Sequence, residues 1–133
     1  MRCLEVFLYN CLINLEDITY PLFQTCSIFI FFADTERMEF YYKAVMENKA
    51  LFEDKIVLDV GCGLGFLSIL AAKAGAKKVY AVEASSQVFV LAQLSFAKSG
   101  YESVIEAVNK PIEEVVIENR YVDIIISEWM GYW

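Results

Sequence analysis

The stretch Lys55-Ile-Val-Leu-Asp-Val60 runs without a break into Gly61-Cys-Gly-Leu-Gly65 and then into a helical pattern, and no other part of the chain restricts the fold so tightly. A short, apolar, β-branched run reads as a strand buried on both faces. The glycines make a turn, and Leu67, Leu70, Ala71 and Ala74 then share one face of a helix that stops at Gly75. Strand, glycine turn and helix in that order open a parallel βαβ unit.

The alternation continues downstream. Val79 to Val82 forms a second strand, and Gln87 to Lys98 a helix with Val88, Leu91, Ala92 and Ser95 on one side, closed by Gly100. Ser103 to Val108 is a third strand, and Val122-Asp-Ile-Ile-Ile-Ser127 a fourth. Between them, after Pro111, a short turn or helix holds Glu113 and Glu114. Upstream, Met38, Tyr41, Tyr42 and Val45 fall at i, i+3, i+4, i+7 behind Asp34 as N-cap, which predicts an amphipathic helix. Strands alternating with helices imply parallel pairing with right-handed crossovers, and the order expected for such a doubly wound sheet here is 3-2-1-4.

This pattern begins only at Phe32 to Thr35. We therefore divide the chain into an atypical apolar segment, 1–33, and a patterned domain, 34–133. The apolar run Leu22 to Phe32 is interrupted by Gln24, Thr25 and Ser27 and falls short of the roughly 20 residues that span a bilayer. Met1 to Asn10 has one base, an apolar run containing Glu5 and no small-residue cleavage site, so neither a membrane span nor a secretory signal is expected.

A length of 133 residues suits one domain, and 58% apolar residues is more than such a domain needs. Acids outnumber bases 18 to 11, for a net charge of -7, which argues against direct nucleic-acid binding and favours cationic partners. The four cysteines, Cys3, Cys11, Cys26 and Cys62, lack paired metal spacing, and with no histidine no metal site is expected. Reduced thiols in an intracellular protein, cytoplasmic or nuclear, are the simplest reading.

The glycine turn sits where a doubly wound fold brings backbone close to a nucleotide. A dinucleotide site wants a small residue at the position held by Phe66, so that fingerprint fails. Asp59 lies two residues before Gly61, where a carboxylate would repel a pyrophosphate and attract the ammonium of an amino-acid moiety. S-adenosylmethionine, a nucleoside with no phosphate but with a sulfonium and an ammonium, matches both observations. Glu83 follows the second strand, 22 residues after Gly61, near the spacing at which an acid accepts hydrogen bonds from ribose hydroxyls. Glu113 can reach an adenine amino group, or with Glu114 form a solvated helix start.

Three segments resemble the protein arginine methyltransferase family: Val57-Leu-Asp-Val-Gly-Cys-Gly-Leu-Gly65, Ala71-Ala-Lys-Ala-Gly-Ala-Lys-Lys-Val-Tyr80 and Ile124-Ile-Ile-Ser-Glu-Trp-Met-Gly-Tyr132. The last is the most specific and resembles the first half of that family's double-glutamate loop, in its type I form. The resemblance covers about Asp34 to Tyr132 and implies an α/β fold, an incomplete Rossmann-like S-adenosylmethionine-dependent methyltransferase domain. It further implies that Arg37, in a segment Asp34-Thr-Glu-Arg37 with Tyr41 that matches the family, pairs with the cofactor carboxylate. By the same resemblance Asp59, Gly61 and Gly63 bind the methionine portion, Glu83 the ribose, and Ile112 and Glu113 the adenine. Glu128 becomes the first of two carboxylates that grip the substrate guanidinium, and the activity expected is methyl transfer to a guanidino nitrogen of an accessible arginine in a histone or other protein.

The sequence departs from the family in several places. Met1 to Phe32 does not reproduce the aromatic motif of the family's N-terminal helix, and Leu64 stands where threonine is commonest. Trp133 comes before the second glutamate, the later strands, the β-barrel substrate domain and the arm through which the family forms homodimers. The expectation is accordingly a shortened chain of weak or no activity with an uncovered apolar strand edge. The alternative expectation is a non-catalytic product that binds cofactor or a partner.

Overall fold

The computed structural model describes residues 34–118 and 121–129. The readings made above on 1–33 and on the end of the double-glutamate loop lie outside these residues. The chain divides into two compact units, Met1–Glu39 and Phe40–Trp133. Of the first, residues 34–39 are described; they open helix α1 (Thr35–Met46). Asp34 caps it as the sequence predicts, its Oδ1 accepting the Arg37 N–H at 3.0 Å while its carbonyl takes the Met38 N–H at 3.1 Å.

The second unit holds the remainder of α1 and a short α2 (Lys49–Phe52) that no periodicity announces. There follow β1 (Ile56–Val60), α3 (Phe66–Lys73), β2 (Lys78–Val82), α4 (Ser86–Ser99), β3 (Ile105–Val108), a 3-10 turn (Ile112–Glu114) and β4 (Ile124–Ile126). The four strands form one parallel sheet in the order β3-β2-β1-β4, the 3-2-1-4 arrangement expected. Asp59 lies opposite Ala81 on one side and Ile126 on the other.

Alternation along the strands gives the sheet two apolar faces. Leu58, Tyr80 and Val82 form a cluster on one, with Ile56, Val60, Val108, Val115, Ile117 and Val122 packed around it. Asp59 points the opposite way, toward α3, where it meets Ser68. Helix α3 was expected to bury a single stripe, but every residue from Phe66 to Ala72 is buried. A helix apolar around its whole circumference has no face that prefers water. Helix α4 is one-sided, with Ala92, Ser95 and Phe96 buried and Val90 and Leu94 exposed.

Two strands are shorter than their sequence patterns. The N–H groups of Val104 and Ile105 both bond to the Tyr101 carbonyl at 2.9 Å, so Tyr101 to Val104 closes a turn and β3 starts only at Ile105. At the ends of β4, polar side chains supplement the backbone: Asp123 Oδ2 accepts the Ile56 N–H at 2.7 Å while its own N–H donates to the Ile56 carbonyl at 2.8 Å, and Ser127 Oγ donates to the Val60 carbonyl at 2.8 Å. Among the described residues β4 has a strand neighbour on one side only, and Ile125 is 65% exposed.

The turn from β1 into α3 depends on Gly65. Its φ is 85°, and a Cβ built there would collide with the Phe96 ring of α4. Gly65→Ala should therefore lower stability by about 2–4 kcal/mol, combining left-handed strain with overpacking. Urea denaturation of the double variant Gly65→Ala/Phe96→Leu should recover about 1 kcal/mol relative to additivity. Strictly additive losses would show that the ring does not limit the turn.

Candidate functional site

In a doubly wound sheet the ligand crevice opens beyond the carboxyl ends of the strands, at the strand where the order reverses. Here that strand is β1, with β2 on one side and β4 on the other. Because all four strands are parallel, the segments following them gather at one edge: Gly61 to Gly65 after β1, Glu83 after β2, Asn109 to Glu114 after β3, and Ser127 to Trp129 after β4. The topology thus brings Asp59, Gly61, Gly63, Glu83, Ile112, Glu113 and Glu128 to the same end of the sheet.

Asp59 is 1% exposed. Its Oδ2 accepts a hydrogen bond of 2.6 Å from the Ser68 hydroxyl, whereas its Oδ1 is buried with no hydrogen-bond partner among the described residues. Burial pushes its pKa from 3.8 up to about 6, against the hydroxyl and amide of Ser68, which favour the charged form, and with a further upward push from Glu83. Ser68 is the third residue of α3, so its amide belongs to the helix start, where N–H groups lack intrahelical acceptors and negative charge is favoured.

Glu83 is tied to the glycine turn. Its Oε2 accepts the Gly63 N–H at 3.1 Å and its Oε1 the Ser85 N–H at 2.9 Å. An ionised carboxylate has about four lone-pair sites, so two remain for a ligand. Asn109 fixes the loop from β3, its Nδ2 donating to the Glu83 carbonyl at 2.8 Å while its Oδ1 accepts from the Ser86 hydroxyl at 2.8 Å. Gly61 and Gly63 have φ of 70° and 56°, and a Cβ built on either would meet nothing within 4 Å. Conformation requires these glycines, and the space beside them is open. Cys62 between them is buried, and burial raises its thiol pKa, which argues against a reactive thiolate.

Glu128, half-buried two residues after β4, accepts a hydrogen bond from the Tyr41 hydroxyl through Oε2. Ile112 and Glu113 are exposed on the 3-10 turn, and Glu114 beside them is exposed as well. Arg37 belongs to the first unit, where its Nε pairs with Asp34 Oδ2 at 3.1 Å. Sequence reasoning missed Ser68 and Asn109, and it gave Tyr41 no role. Ser68 had a signal, being the one polar residue between Phe66 and Ala72; Asn109 had none beyond its place after a strand.

The residues fit a cationic nucleoside and not a pyrophosphate. The Gly63 amide that could cradle a phosphate is held by Glu83, and Asp59 adds a second acid at the same turn. An ammonium near Asp59 would instead supply the donor that Oδ1 lacks.

Comparison with known proteins agrees. The profile of the ribosomal protein L11 methyltransferase (PrmA) family matches residues 43–130. The protein arginine N-methyltransferase 1 of Oryza sativa subsp. indica is 47% identical over 100 residues, which are 75% of this chain and 26% of the relative. The Saccharomyces cerevisiae protein of the same name is 48% identical over 100 residues, covering 75% of this chain and 28% of the relative. The chain thus spans about a quarter of the length of these relatives. Among solved structures, the Trypanosoma brucei PRMT1 enzyme-prozyme heterotetrameric complex with AdoHcy aligns with a TM-score of 0.71 and 49% identity, over 75% of this chain and 31% of that one. PRMT6-SAH aligns with a TM-score of 0.66 and 33% identity, over 74% of this chain and 33% of that one. The chain therefore belongs to the PrmA-type S-adenosylmethionine-dependent methyltransferases, and over three quarters of its length it is similar to protein arginine N-methyltransferases.

Proposed function

We propose that this chain provides the methyl-donor half of a transfer from S-adenosylmethionine to a guanidino nitrogen of a protein arginine. The observation that carries this reading is the glycine turn held between two carboxylates: Asp59, buried with one oxygen unpartnered, and Glu83, bonded to the Gly63 amide. S-adenosylmethionine bound there supplies an electrophilic methyl group on a sulfonium.

The work of the protein's own residues follows from their positions. Asp59 Oδ1 receives the ammonium, Gly61 and Gly63 let the backbone approach, and the free lone pairs of Glu83 accept the ribose hydroxyls. Ile112 offers an apolar surface and Glu113 an acceptor at the edge where the adenine would lie. Arg37 would meet the cofactor carboxylate, a pairing that suits a guanidinium fork. On the acceptor side Glu128 orients the guanidinium, with Tyr41 occupying one of its oxygens. A protein substrate, residence in the cytoplasm or nucleus, and association with a second methyltransferase chain belong to the same proposal. The related trypanosomal structure, an enzyme-prozyme heterotetramer, supports the last of these.

Calorimetric titration with S-adenosylmethionine, paired with radiolabelled methyl transfer to an Arg-Gly-rich peptide, tests the reading. We expect saturable binding of one cofactor per chain. Glu128→Gln should leave that affinity within about twofold and lower any transfer by at least the 10²-fold typical of a lost electrostatic contact in the transition state. Absence of cofactor binding would remove the donor site. Binding with no transfer would restrict the chain to cofactor binding.

Asp59 makes both stability and binding depend on pH. Its folded pKa, about 6, is above the unfolded value of 3.8, so the folded chain holds more protons between them and stability falls as pH rises through that window. The loss is on the order of 3 kcal/mol, complete above pH 6. Asp59→Asn should flatten this slope in urea titrations and make the unliganded chain more stable at pH 7, while weakening S-adenosylmethionine. Wild-type affinity for S-adenosylmethionine should rise about fivefold from pH 5 to pH 6, and about tenfold in all before it levels off above pH 7, because an ammonium binds the ionised form. A flat binding profile would place the ammonium elsewhere.

A further inference from the structure

Ser68 and Asp59 are 0% and 1% exposed, nine residues apart in sequence, and joined by a hydrogen bond of 2.6 Å. A hydroxyl donating to a carboxylate at that length is a charge-assisted bond, shorter and stronger than a neutral one. It uses Oδ2 and leaves Oδ1 as the buried atom without a partner. Both groups sit on rigid elements, Asp59 within β1 between β2 and β4, Ser68 in the first turn of α3. The other titratable groups acting on this carboxyl are Glu83 after β2 and Cys62 in the glycine turn; its neighbours across the sheet, Ala81 and Ile126, are apolar. Ser68 is thus the side chain that compensates the Asp59 charge before any ligand arrives.

Resting on the donor-site reading above, we propose that Ser68 is a positioning residue for the cofactor: it anchors Oδ2 of Asp59 so that Oδ1 is presented, ionised, to the ammonium of the methionine moiety. Without the hydroxyl, the Ser68 amide alone is left to favour the charged form against the burial of the carboxyl. The carboxyl then holds its proton to a higher pH and has a second rotamer open to it. The effect is confined to the amino-acid end of the ligand, because the ribose partner Glu83 is held independently by Gly63 and Ser85.

Two probes separate this role from a general disturbance. S-adenosylhomocysteine carries the amino-acid moiety, and 5′-methylthioadenosine is the same neutral thioether nucleoside without it. With the full chain, Ser68→Ala should weaken S-adenosylhomocysteine several-fold at pH 7, about twofold through the smaller ionised fraction and the remainder through the freed rotamer, and shift the pH midpoint of its binding upward by about one unit. Affinity for 5′-methylthioadenosine should change less than twofold. Ser68→Cys, which keeps the volume and weakens the donor, should fall between wild type and Ser68→Ala, and it serves as the folded variant if the alanine substitution disrupts the core.

Equal proportional losses for both ligands, or an unchanged pH midpoint with unchanged affinities, would overturn the positioning role while leaving the donor site in place. Failure of wild type to bind S-adenosylhomocysteine would overturn the donor site itself, and this inference with it.

Discussion

Burying the Asp59 carboxyl on the central strand costs free energy that the described protein groups return only in part, since Ser68 satisfies one oxygen and nothing satisfies the other. A fold optimised only for stability would place an apolar residue at this position, as it does at Val57 on the same face of the strand. The carboxyl persists because α3 is built around it: a serine in an otherwise apolar turn, and a helix start whose amides favour negative charge. That arrangement requires α3 to begin immediately over β1, and the glycine turn makes this possible. With φ of 85° at Gly65, the chain reverses and brings the helix onto the sheet with the Phe96 ring lying against the glycine. The charge, the turn and the α4 contact are therefore one construction.

The same construction explains why the site opens where it does. Each parallel strand delivers its loop to the same edge, and hydrogen bonds between neighbouring strand ends fix their relative height: the Cys62 N–H to the Val82 carbonyl at 2.9 Å, the Glu83 N–H to the Val108 carbonyl at 3.0 Å, and the Ser127 hydroxyl to the Val60 carbonyl at 2.8 Å. Glu83 then reaches back to Gly63, so the ribose-binding candidate and the glycine turn move as a unit. Sites positioned on rigid elements in this way hold their geometry better than sites on free loops.

Much of this was legible in the sequence because it rests on periodicity and on glycine. The buried strand Lys55 to Val60, the glycines after it and the alternation of strands and helices are local patterns, and they suffice for a parallel sheet; its order, 3-2-1-4, comes with the Rossmann-like fold that the motifs resemble. The edges of elements were less legible. Ser103 and Val104 look like strand residues, but the turn closed by the Val104 and Ile105 amides on the Tyr101 carbonyl delays β3 until Ile105. Asp123 and Ser127 look like strand ends but spend their side chains on β1. Pairings across long sequence distances were not legible at all: Tyr41 with Glu128, 87 residues apart, obeys no local spacing rule and exists only because the chain brings α1 to the loop after β4. Arg37 marks the opposite limit, since family resemblance alone suggests its role and its observed partner is the nearby Asp34.

Electrostatics gives the acidic edge a common purpose. A methyl transfer of the proposed kind must bring together two cations, a sulfonium and a guanidinium, whose repulsion in a region of low dielectric would by itself keep them apart. Asp59, Glu83, Glu113 and Glu128 come from four different positions in the chain and reach one end of the sheet, and the excess of 18 acids over 11 bases has the same sign. The acids are not interchangeable in this role. Glu113 is exposed and screened by water, whereas Asp59 is buried and acts through a much lower effective dielectric, so its single charge counts for more at short range. An acid that strong at short range must also be weak enough to survive without its ligand. Below pH 6 the raised pKa meets that condition, since the carboxyl holds a proton, and at neutral pH the Ser68 hydroxyl meets it by compensating the charge.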